Sequence, residues 1–219
     1  MTDFDNIKTW YFDCDGVLLD SNKVKTKAFY ELLLPYGKEN ANKFINYHKE
    51  NGGLSRFVKL KYFFKEILKA KVKKNEIEKN LFNFSKMVSD KLKECSNTKG
   101  LESFLKKIPS NARKVVVSGG YQDELIDVLK YKNLDIYFDA IFGSPKTKVE
   151  ILQLEKSNNF LNYPSVFVGD SKIDYVVSKK FNLRFIFLSD YTEFDGWEDY
   201  FQNKDVKIIN NFINFGNLR

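Results

Sequence analysis

Two aspartates separated by one residue, Asp13 and Asp15, stand directly after an apolar segment near the start of the sequence. If that segment is a β-strand, side chains two residues apart lie on the same face, so both carboxylates project from the strand's carboxyl end. Two carboxylates about 4 Å apart repel by ~4 kcal/mol at an effective dielectric of about 20, so the pair requires a cation, a shared proton or full solvation. An exposed Asp-x-Asp-Gly turn is the alternative, and the position after an apolar segment favours the paired site.

A second pair of aspartates follows another apolar segment, which ends at Gly169 and continues into Asp170. Asp174 comes one helical turn later, so it can face the same cleft as Asp170 if a helix begins between them. Ser171 and Asp174 also match a capping box, which would give Asp174 a structural role. Asp170 has no such alternative explanation and is the stronger candidate of the two.

A third candidate segment consists of Ser118, Gly119 and Gly120, after Lys114 and the three valines that follow it. A hydroxyl and unobstructed backbone N–H groups at a strand-to-helix turn form a cradle for a phosphate group. A plain turn has the same composition, so this segment is weak evidence by itself.

Two lysines lie close together in a fourth segment, and the local helix signals distinguish them. Thr147 and Glu150 match a capping box, which predicts a helix whose first residue is Lys148. A lysine at a helix N-terminus gains nothing from the helix dipole unless an anion lies beside it. The pattern therefore favours Lys148 over Lys146 as a phosphate ligand.

The elements that position these residues are apolar segments rich in Val, Ile and Phe without polar alternation, as is typical of parallel strands covered on both faces. Helical patterns lie between the later segments, and this alternation predicts an α/β fold with a parallel sheet. A further strand is possible at 206–209. The main strands are predicted at 9–14, 114–118, 139–142, 165–169 and 184–188.

The chain between the first and second strands is helical in pattern and far longer than a single crossover helix requires. One amphipathic helix is predicted over residues 60–68 and another over 77–92, with Asn75 as its N-cap. We therefore predict a core domain formed by residues 1–20 and 97–219, and an inserted helical cap domain formed by residues 21–96.

In their order and their positions at strand ends, these segments resemble the four motifs of the haloacid dehalogenase (HAD) superfamily, and the insertion resembles its helical type 1 cap. The resemblance extends to phosphoglycolate phosphatases and β-phosphoglucomutases. It implies a doubly wound, Rossmann-like parallel sheet with an all-helical cap. The matching residues are Asp13-x-Asp15-Gly16-Val17, Ser118, Lys148 and Gly169-Asp170-Ser171-x-x-Asp174.

The resemblance implies a phosphatase that uses Mg²⁺ and an aspartyl-phosphate intermediate. Asp13 would be the nucleophile, and Asp15 would protonate the leaving oxygen and later take a proton from water. Magnesium would be held by Asp13, by the backbone carbonyl of Asp15 and by Asp170, with Asp174 supporting the site.

The same resemblance implies that Ser118, the neighbouring N–H group of Gly119, and Lys148 bind the phosphoryl group. Dehalogenases of the superfamily lack an aspartate equivalent to Asp15. A phosphomutase of the β-phosphoglucomutase type shares the core, and phosphonatases use a cap lysine, so both stay open. From another class, a phospho-receiver domain would accept phosphate after the third strand, where this sequence has no carboxylate, and would lack the insertion.

The cap segment 51–57 resembles a motif of HAD proteins associated with surface-polysaccharide and sugar-phosphate pathways. Gly52 and Gly53 allow a sharp turn that brings Arg56 to the cap–core cleft. We predict that Arg56 binds the substrate's phosphate or a second acidic group. The alternative is an exposed arginine, or one paired with a core carboxylate such as Asp20. His48 is expected on the cap surface.

Charge and composition restrict the kinds of molecule that this protein is expected to bind. The net charge is +7, but the basic residues recur singly, as at Lys59, Lys61 and Lys65, which predicts solvated helix faces instead of a nucleic-acid site. No apolar run could span a bilayer, and the first residues do not resemble a signal peptide. With only two cysteines, the sequence indicates a cytoplasmic protein, and neither nucleic acid nor a membrane is expected as a partner. The resemblance to the HAD superfamily implies a small phosphorylated metabolite as the partner.

Overall fold

The structure is a computed structural model that describes residues 6–71 and 73–217. Among these residues, six parallel strands form one sheet in the order β3-β2-β1-β4-β5-β6. This is the doubly wound strand order, so the predicted α/β class is confirmed. The strands are β1 (Thr9–Phe12), β2 (Arg113–Tyr121), β3 (Ala140–Ser144), β4 (Ser165–Gly169), β5 (Arg184–Leu188) and β6 (Lys207–Ile209).

Helices cover both faces of the sheet and form the insertion after β1. They are α1 (Asn22–Leu33), α2 (Lys38–Glu50), α3 (Arg56–Tyr62), α4 (Lys74–Glu94), α5 (Leu101–Leu105), α6 (Gln122–Tyr131), α7 (Lys148–Ser157), α8 (Lys172–Lys180) and α9 (Trp197–Phe201). Short 3-10 segments lie at Leu34–Tyr36, Asp135–Tyr137 and Phe212–Asn217. None of the helices in the described ranges is both long and apolar enough to cross a membrane.

Strand β1 separates two hydrophobic clusters because its side chains alternate between the faces of the sheet. Tyr11 belongs to the cluster on one face, and Trp10 and Phe12 belong to the other. The second cluster continues into the insertion through Phe29 and Phe84. Packing against the cap therefore buries apolar surface that also stabilises the core sheet.

The insertion contains α1 to α4 and forms the predicted helical cap. The chain enters and leaves it side by side, since the N–H of Asp20 donates to the carbonyl of Ser96 over 2.9 Å. This hydrogen bond lies beside the predicted domain boundaries, between residues 20 and 21 and between residues 96 and 97. The boundaries themselves stay a prediction.

Two local predictions within the cap were wrong. The single helix predicted over 60–68 is divided into α3 and a π-helical segment, Phe63–Ile67. Asn75 is not an N-cap, because α4 begins at Lys74 after the N-cap residue Lys73. A capping side chain contributes only about 1 kcal/mol, so packing of the apolar face decides where this helix begins.

Strand β2 is longer than the sequence predicts. Ser118, Gly119 and Gly120 lie within it, not in a turn after it, and its register with β3 is irregular between Val117 and Tyr121. A Cβ on Gly119 would lie 2.3 Å from the carbonyl oxygen of Gly53, so the cap backbone comes very close to the strand here. Strand β3 likewise begins one residue later than predicted and extends to Ser144.

Candidate active site

The carboxyl ends of β1 and β4 meet where the strand order reverses, which is where open α/β sheets bind ligands. Asp13 follows β1, and its N–H donates to the carbonyl of Val168 on β4 over 2.9 Å. Asp170 follows β4. Parallel pairing of the two strands, Phe12 beside Val168, therefore places the predicted nucleophile and the predicted metal ligand next to each other.

Three carboxylates, from Asp13, Asp170 and Asp174, each offer an oxygen within 4.8 Å of the others. All three side chains are buried. The Lys148 ammonium lies among them, with its Nζ 2.8 Å from Asp13 Oδ2 and 2.5 Å from Asp174 Oδ1. Residues that are far apart in the sequence are thus brought together as one charged cluster, which we call the acidic cluster.

The acidic cluster carries more negative charge than Lys148 can balance. Burial, with contributions from the neighbouring carboxylates Asp174 and Asp15, raises the pKa of Asp13 to about 7 despite the ammonium of Lys148. Burial and the same kind of repulsion raise the pKa of Asp170 well above its usual range. For Lys148, burial acts to lower the pKa, but the carboxylates of Asp13 and Asp174 outweigh it and raise the pKa.

The donor set suits magnesium. Three carboxylates and one ammonium leave two negative charges in a buried space, which matches a divalent cation. All the available ligand atoms are oxygens, which Mg²⁺ prefers. The raised pKa values of Asp13 and Asp170 describe the protein without a cation, and a bound cation would lower both.

Asp174 is fully buried, and it both completes the predicted capping box and belongs to the acidic cluster. Its Oδ2 accepts hydrogen bonds from the N–H and hydroxyl of Ser171, which completes a capping box at the start of α8. Its Oδ1 contacts Lys148. Because both oxygens have protein partners, Asp174 is better placed to position Lys148 and the metal site than to be a principal ligand.

Lys148 is the first residue of α7, as the capping box of Thr147 and Glu150 predicts. Its side chain is buried in the acidic cluster, whereas Lys146 is exposed. The local helix signal thus correctly predicted where α7 begins. Whether Lys148 binds phosphate stays a prediction.

Asp15 lies outside the acidic cluster and has its own partners. Lys25 Nζ lies 2.6 Å from Asp15 Oδ2, and the Ser21 hydroxyl donates to Oδ1 over 2.5 Å. Burial acts to raise the pKa of Asp15, but Lys25 and Ser21 outweigh it, so the pKa is lowered. The carboxylate is therefore ionised and held by a cation from the first cap helix.

Asn22 is a further site residue that the sequence did not single out. Its amide nitrogen donates to Asp170 Oδ2 over 2.6 Å and to the carbonyl of Tyr191 over 2.9 Å. The turn before it requires Gly16, which has a φ of +74° and whose added Cβ would lie 2.2 Å from Asp170 Oδ2. Asn22 and Lys25 share one face of α1, so the segment after the first motif could have indicated both.

Ser118 is buried, and its Oγ accepts a hydrogen bond from the N–H of Gly120 over 3.0 Å. Gly119 and Gly120 line the same cavity as Asp13 and Asp15. The structure therefore places the predicted phosphate-binding segment at this cavity. Its contact with phosphate stays a prediction.

That cavity lies between the cap and the core and is lined by residues of both. Gly53 closes it from the cap side, with a φ of +81° and a position where an added Cβ would lie 3.1 Å from Ser171 Oγ and 3.2 Å from Lys148 Nζ. The turn at Gly52 and Gly53 thus brings the cap against the core, as expected.

Arg56 lines the cavity but is already paired. Its guanidinium makes two hydrogen bonds to the carboxylate of Glu124 on α6, at 2.9 and 3.3 Å, and a third to Ser85 Oγ at 2.9 Å. It also lies over the rings of Phe84 and Tyr121. The alternative of a core carboxylate partner therefore holds, with Glu124 in place of Asp20. Substrate binding by Arg56 stays a prediction.

Two predictions of exposure were wrong, because His48 and Lys59 are both buried. They lie on adjacent cap helices and face each other, with Lys59 Nζ 2.8 Å from His48 Nδ1. On α3, Lys59 is three residues from Arg56 and one turn before Phe63, all buried. That i, i+3, i+7 spacing marks the inner face of the helix and could have corrected the assignment.

A family model described as haloacid dehalogenase-like hydrolase matches residues 11–188. No curated protein matches the chain. Among solved structures, a β-phosphoglucomutase from Clostridium difficile is similar, with a TM-score of 0.75 and 20% identity over 94% of this chain and 92% of the other. A protein predicted to be a phosphoglycolate phosphatase, from Haemophilus somnus, aligns with a TM-score of 0.74 and 16% identity over 97% of each chain.

CbbY from Rhodobacter sphaeroides, in complex with phosphate, is similar with a TM-score of 0.72 and 16% identity over 96% of each chain. At such low identity, these structures support the fold. The family model covers most of the chain, including the ends of the strands that carry Asp13 and Asp170. The chain therefore belongs to the haloacid dehalogenase-like hydrolases.

Proposed function

We propose that this hydrolase is a magnesium-dependent phosphatase that acts on a small phosphorylated metabolite, such as a sugar phosphate. The observation that carries the proposal is the position of Asp13. It is a buried carboxylate at the carboxyl end of β1, within reach of Lys148 and of two further carboxylates, and it borders the cavity between the cap and the core.

Magnesium would be held by the carboxylates of Asp13 and Asp170 and by the backbone carbonyl of Asp15, with Asp174 supporting the site. When bound, Mg²⁺ would offset the repulsion between the Asp13 carboxylate and a phosphate dianion. Lys148 contributes a permanent positive charge from the other side of Asp13. Ser118, the N–H of Gly119 and Lys148 then orient the phosphoryl oxygens.

In the first step, a carboxylate oxygen of Asp13 attacks phosphorus, and the bond between phosphorus and the ester oxygen breaks. The leaving oxygen takes a proton from Lys25 by way of the Asp15 carboxylate, 2.6 Å away, and Lys25 is left neutral. In the second step, water attacks the aspartyl-phosphate, its proton goes to the Asp15 carboxylate, and Asp13 is released. Asp15 passes that proton back to Lys25 and returns to the ionised form that its lowered pKa favours.

Phosphomutase activity is the second candidate, because a β-phosphoglucomutase is among the similar structures and because Asp13 is only 3% exposed. A mutase must keep the aspartyl-phosphate away from water long enough to transfer it to a second substrate. A receiver domain is disfavoured, since β3 ends at Ser144 and Pro145 without a carboxylate. Free cysteines at Cys14 and Cys95 fit a cytoplasmic location, which we propose as well.

The proposal is tested by measuring release of phosphate from p-nitrophenyl phosphate with magnesium, for the wild-type chain and Asp13→Asn. We expect multiple turnovers by the wild type and none by the variant. A phosphomutase would instead interconvert glucose 1-phosphate and glucose 6-phosphate in the presence of a sugar bisphosphate. A chain that takes up one phosphoryl group without releasing it would be a receiver.

A further inference from the structure

The cap side of the cavity carries several cations, and their partners distinguish them. Lys25 is paired with Asp15, and Arg56 is paired with Glu124. Lys49 is only partly buried. Lys59 is 3% exposed, and no carboxylate of the described chain lies within 4.0 Å of its Nζ. It is therefore a buried ammonium without a counterion, at the wall of the cavity.

The partners of Lys59 in the described structure both belong to His48. Its Nζ lies 2.8 Å from the ring nitrogen Nδ1 and 3.4 Å from the backbone carbonyl oxygen. An ammonium has three N–H donors, so at least one is left for a ligand. The ring of His48 accepts a hydrogen bond from the Lys59 ammonium at Nδ1, which requires a neutral imidazole with its own hydrogen on Nε2.

The neutral state of His48 is set by its surroundings. Burial, followed by the charges of Lys59, Lys25 and Lys49, lowers the pKa of His48 well below its usual value. Its Nε2 then donates to Thr26 Oγ1 over 3.1 Å, and the Thr26 hydroxyl donates to the carboxylate of Glu193 in the core. This chain of hydrogen bonds fixes the direction in which His48 presents its lone pair to Lys59.

A buried ammonium without a counterion is costly unless a ligand supplies the charge. Burial lowers the pKa of Lys59 to about 7, and the more distant carboxylates of Asp15, Glu193 and Asp13 do not compensate, with Lys25 opposing them. The protein therefore provides too little negative charge for this side chain. An anion in the cavity would provide it.

We infer that Lys59, oriented by His48, is the receptor for a second anionic group of the substrate, and that the preferred substrates are small phosphomonoesters bearing a carboxylate or a second phosphate. This rests on the proposed function, in which the first phosphate lies at Asp13 in the same cavity. It moves the second-anion site from Arg56, whose guanidinium already has a carboxylate partner, to a neighbour one helical turn along α3.

The test uses two ligand pairs that differ in the second anion. One compares 2-phosphoglycolate with 2-hydroxyethyl phosphate, and the other compares fructose 1,6-bisphosphate with fructose 6-phosphate. Dissociation constants are measured by calorimetry with magnesium, on the full chain carrying Asp13→Asn so that turnover does not interfere. In at least one pair, we expect the ligand with the second anionic group to bind about tenfold or more tightly, and the pair that shows this identifies the group as a carboxylate or a phosphate.

In the same background, Lys59→Met should abolish this preference, Lys59→Arg should keep it, and Lys61→Met, a control on the exposed face of α3, should leave it unchanged. Lys59→Gln provides a second neutral variant, and circular dichroism verifies folding. No preference in either pair, or a preference that survives in Lys59→Met and Lys59→Gln, would overturn the inference. Failure of the phosphatase proposal is detected separately, as absence of p-nitrophenyl phosphate turnover by the wild type.

Discussion

The core side and the cap side of the cavity carry buried charges of opposite sign that are not balanced by the protein. On the core side, Asp13, Asp170 and Asp174 surround a single ammonium, which leaves an excess of negative charge. On the cap side, Lys59 is a buried cation whose partners are the uncharged groups of His48. Each side thus lacks the charge that a different ligand would bring, a metal ion for the core and an anion for the cap. From this difference we infer that a metal ion on the core side and an anionic substrate on the cap side would balance the charge of the cavity.

Removal of Mg²⁺ from the core side should have the largest effect on activity. We predict that removing Mg²⁺ with EDTA abolishes turnover of p-nitrophenyl phosphate and that added Mg²⁺ restores it. Calcium should replace it poorly, because its larger and looser coordination shell would misplace Asp13 relative to phosphorus. Steady-state assays across the two metals provide the measurement. Full activity in EDTA would remove the proposed role of Asp170.

The lysines at the start of α7 should differ sharply. Lys148→Ala removes the ammonium that contacts Asp13 and Asp174, so we expect kcat to fall by about 10²–10³, equivalent to a few kcal/mol of transition-state stabilisation. Lys146→Ala, the matched control at an exposed position, should change kcat less than about twofold. Equal losses from both variants would show that the buried contact has no catalytic importance.

Arg56 allows the cap–core contact to be separated from substrate binding. If Arg56 binds the second anion in place of Lys59, Arg56→Ala should raise KM for the physiological substrate about tenfold, with a smaller effect on p-nitrophenyl phosphate. With the second anion at Lys59, we expect Arg56→Ala to change the two KM values by the same factor. Glu124→Gln keeps the guanidinium but removes its partner. If Arg56 binds substrate, Glu124→Gln should leave KM closer to the wild-type value. If instead both variants raise KM and lower thermal stability equally, Arg56 serves only to hold the cap on the core.

On the cap side, the buried charge of Lys59 should lower the free energy of unfolding. The pKa of Lys59 is about 7 in the folded chain, and that of an unfolded lysine is about 10.4, so the unfolded state binds more protons between these values. Deprotonation of Lys59 should therefore increase the free energy of unfolding of the wild type as the pH rises from 7 to 9. Lys59→Met should lack this increase. At pH 7 the variant should be more stable by about 1–4 kcal/mol.

Urea unfolding at pH 7 and pH 9 measures this difference, and subtracting the variant removes the contributions of other groups. Lys61→Met is the control for loss of a charge at an exposed site. A Lys59→Met chain that is less stable than the wild type at pH 7, with the same pH dependence, would show that Lys59 is stabilised by the protein itself.

The sequence predicts the position of a residue well when the residues that determine that position are close to it in the chain. Asp13, Asp170 and Lys148 were identified because a strand end or a capping box lies within a few residues of each. Lys59 and His48 were placed on the surface because their burial comes from packing between α2 and α3. The partner of Arg56 was missed for the same reason, since Glu124 lies on a helix from the other side of the insertion.

The length of β2 shows a related limit. Ser118 and the two glycines after it have the composition of a turn, yet they continue the strand because the cap backbone at Gly53 packs against them. Propensity alone cannot anticipate a contact between a strand and an inserted module. The positions of the core motifs were therefore predictable, and the side-chain contacts across the cap–core cavity were not.

The central claim, that Asp13 is the nucleophile, is tested most directly by trapping the phosphorylated enzyme. The wild-type chain is mixed with substrate and magnesium, quenched in acid within milliseconds, digested and analysed by mass spectrometry. We predict one added phosphoryl group on the peptide that contains Asp13, and none in Asp13→Asn, which should also show no turnover. A phosphoryl group on any other residue, or an Asp13→Asn chain that retains even a tenth of wild-type turnover, would contradict the assignment.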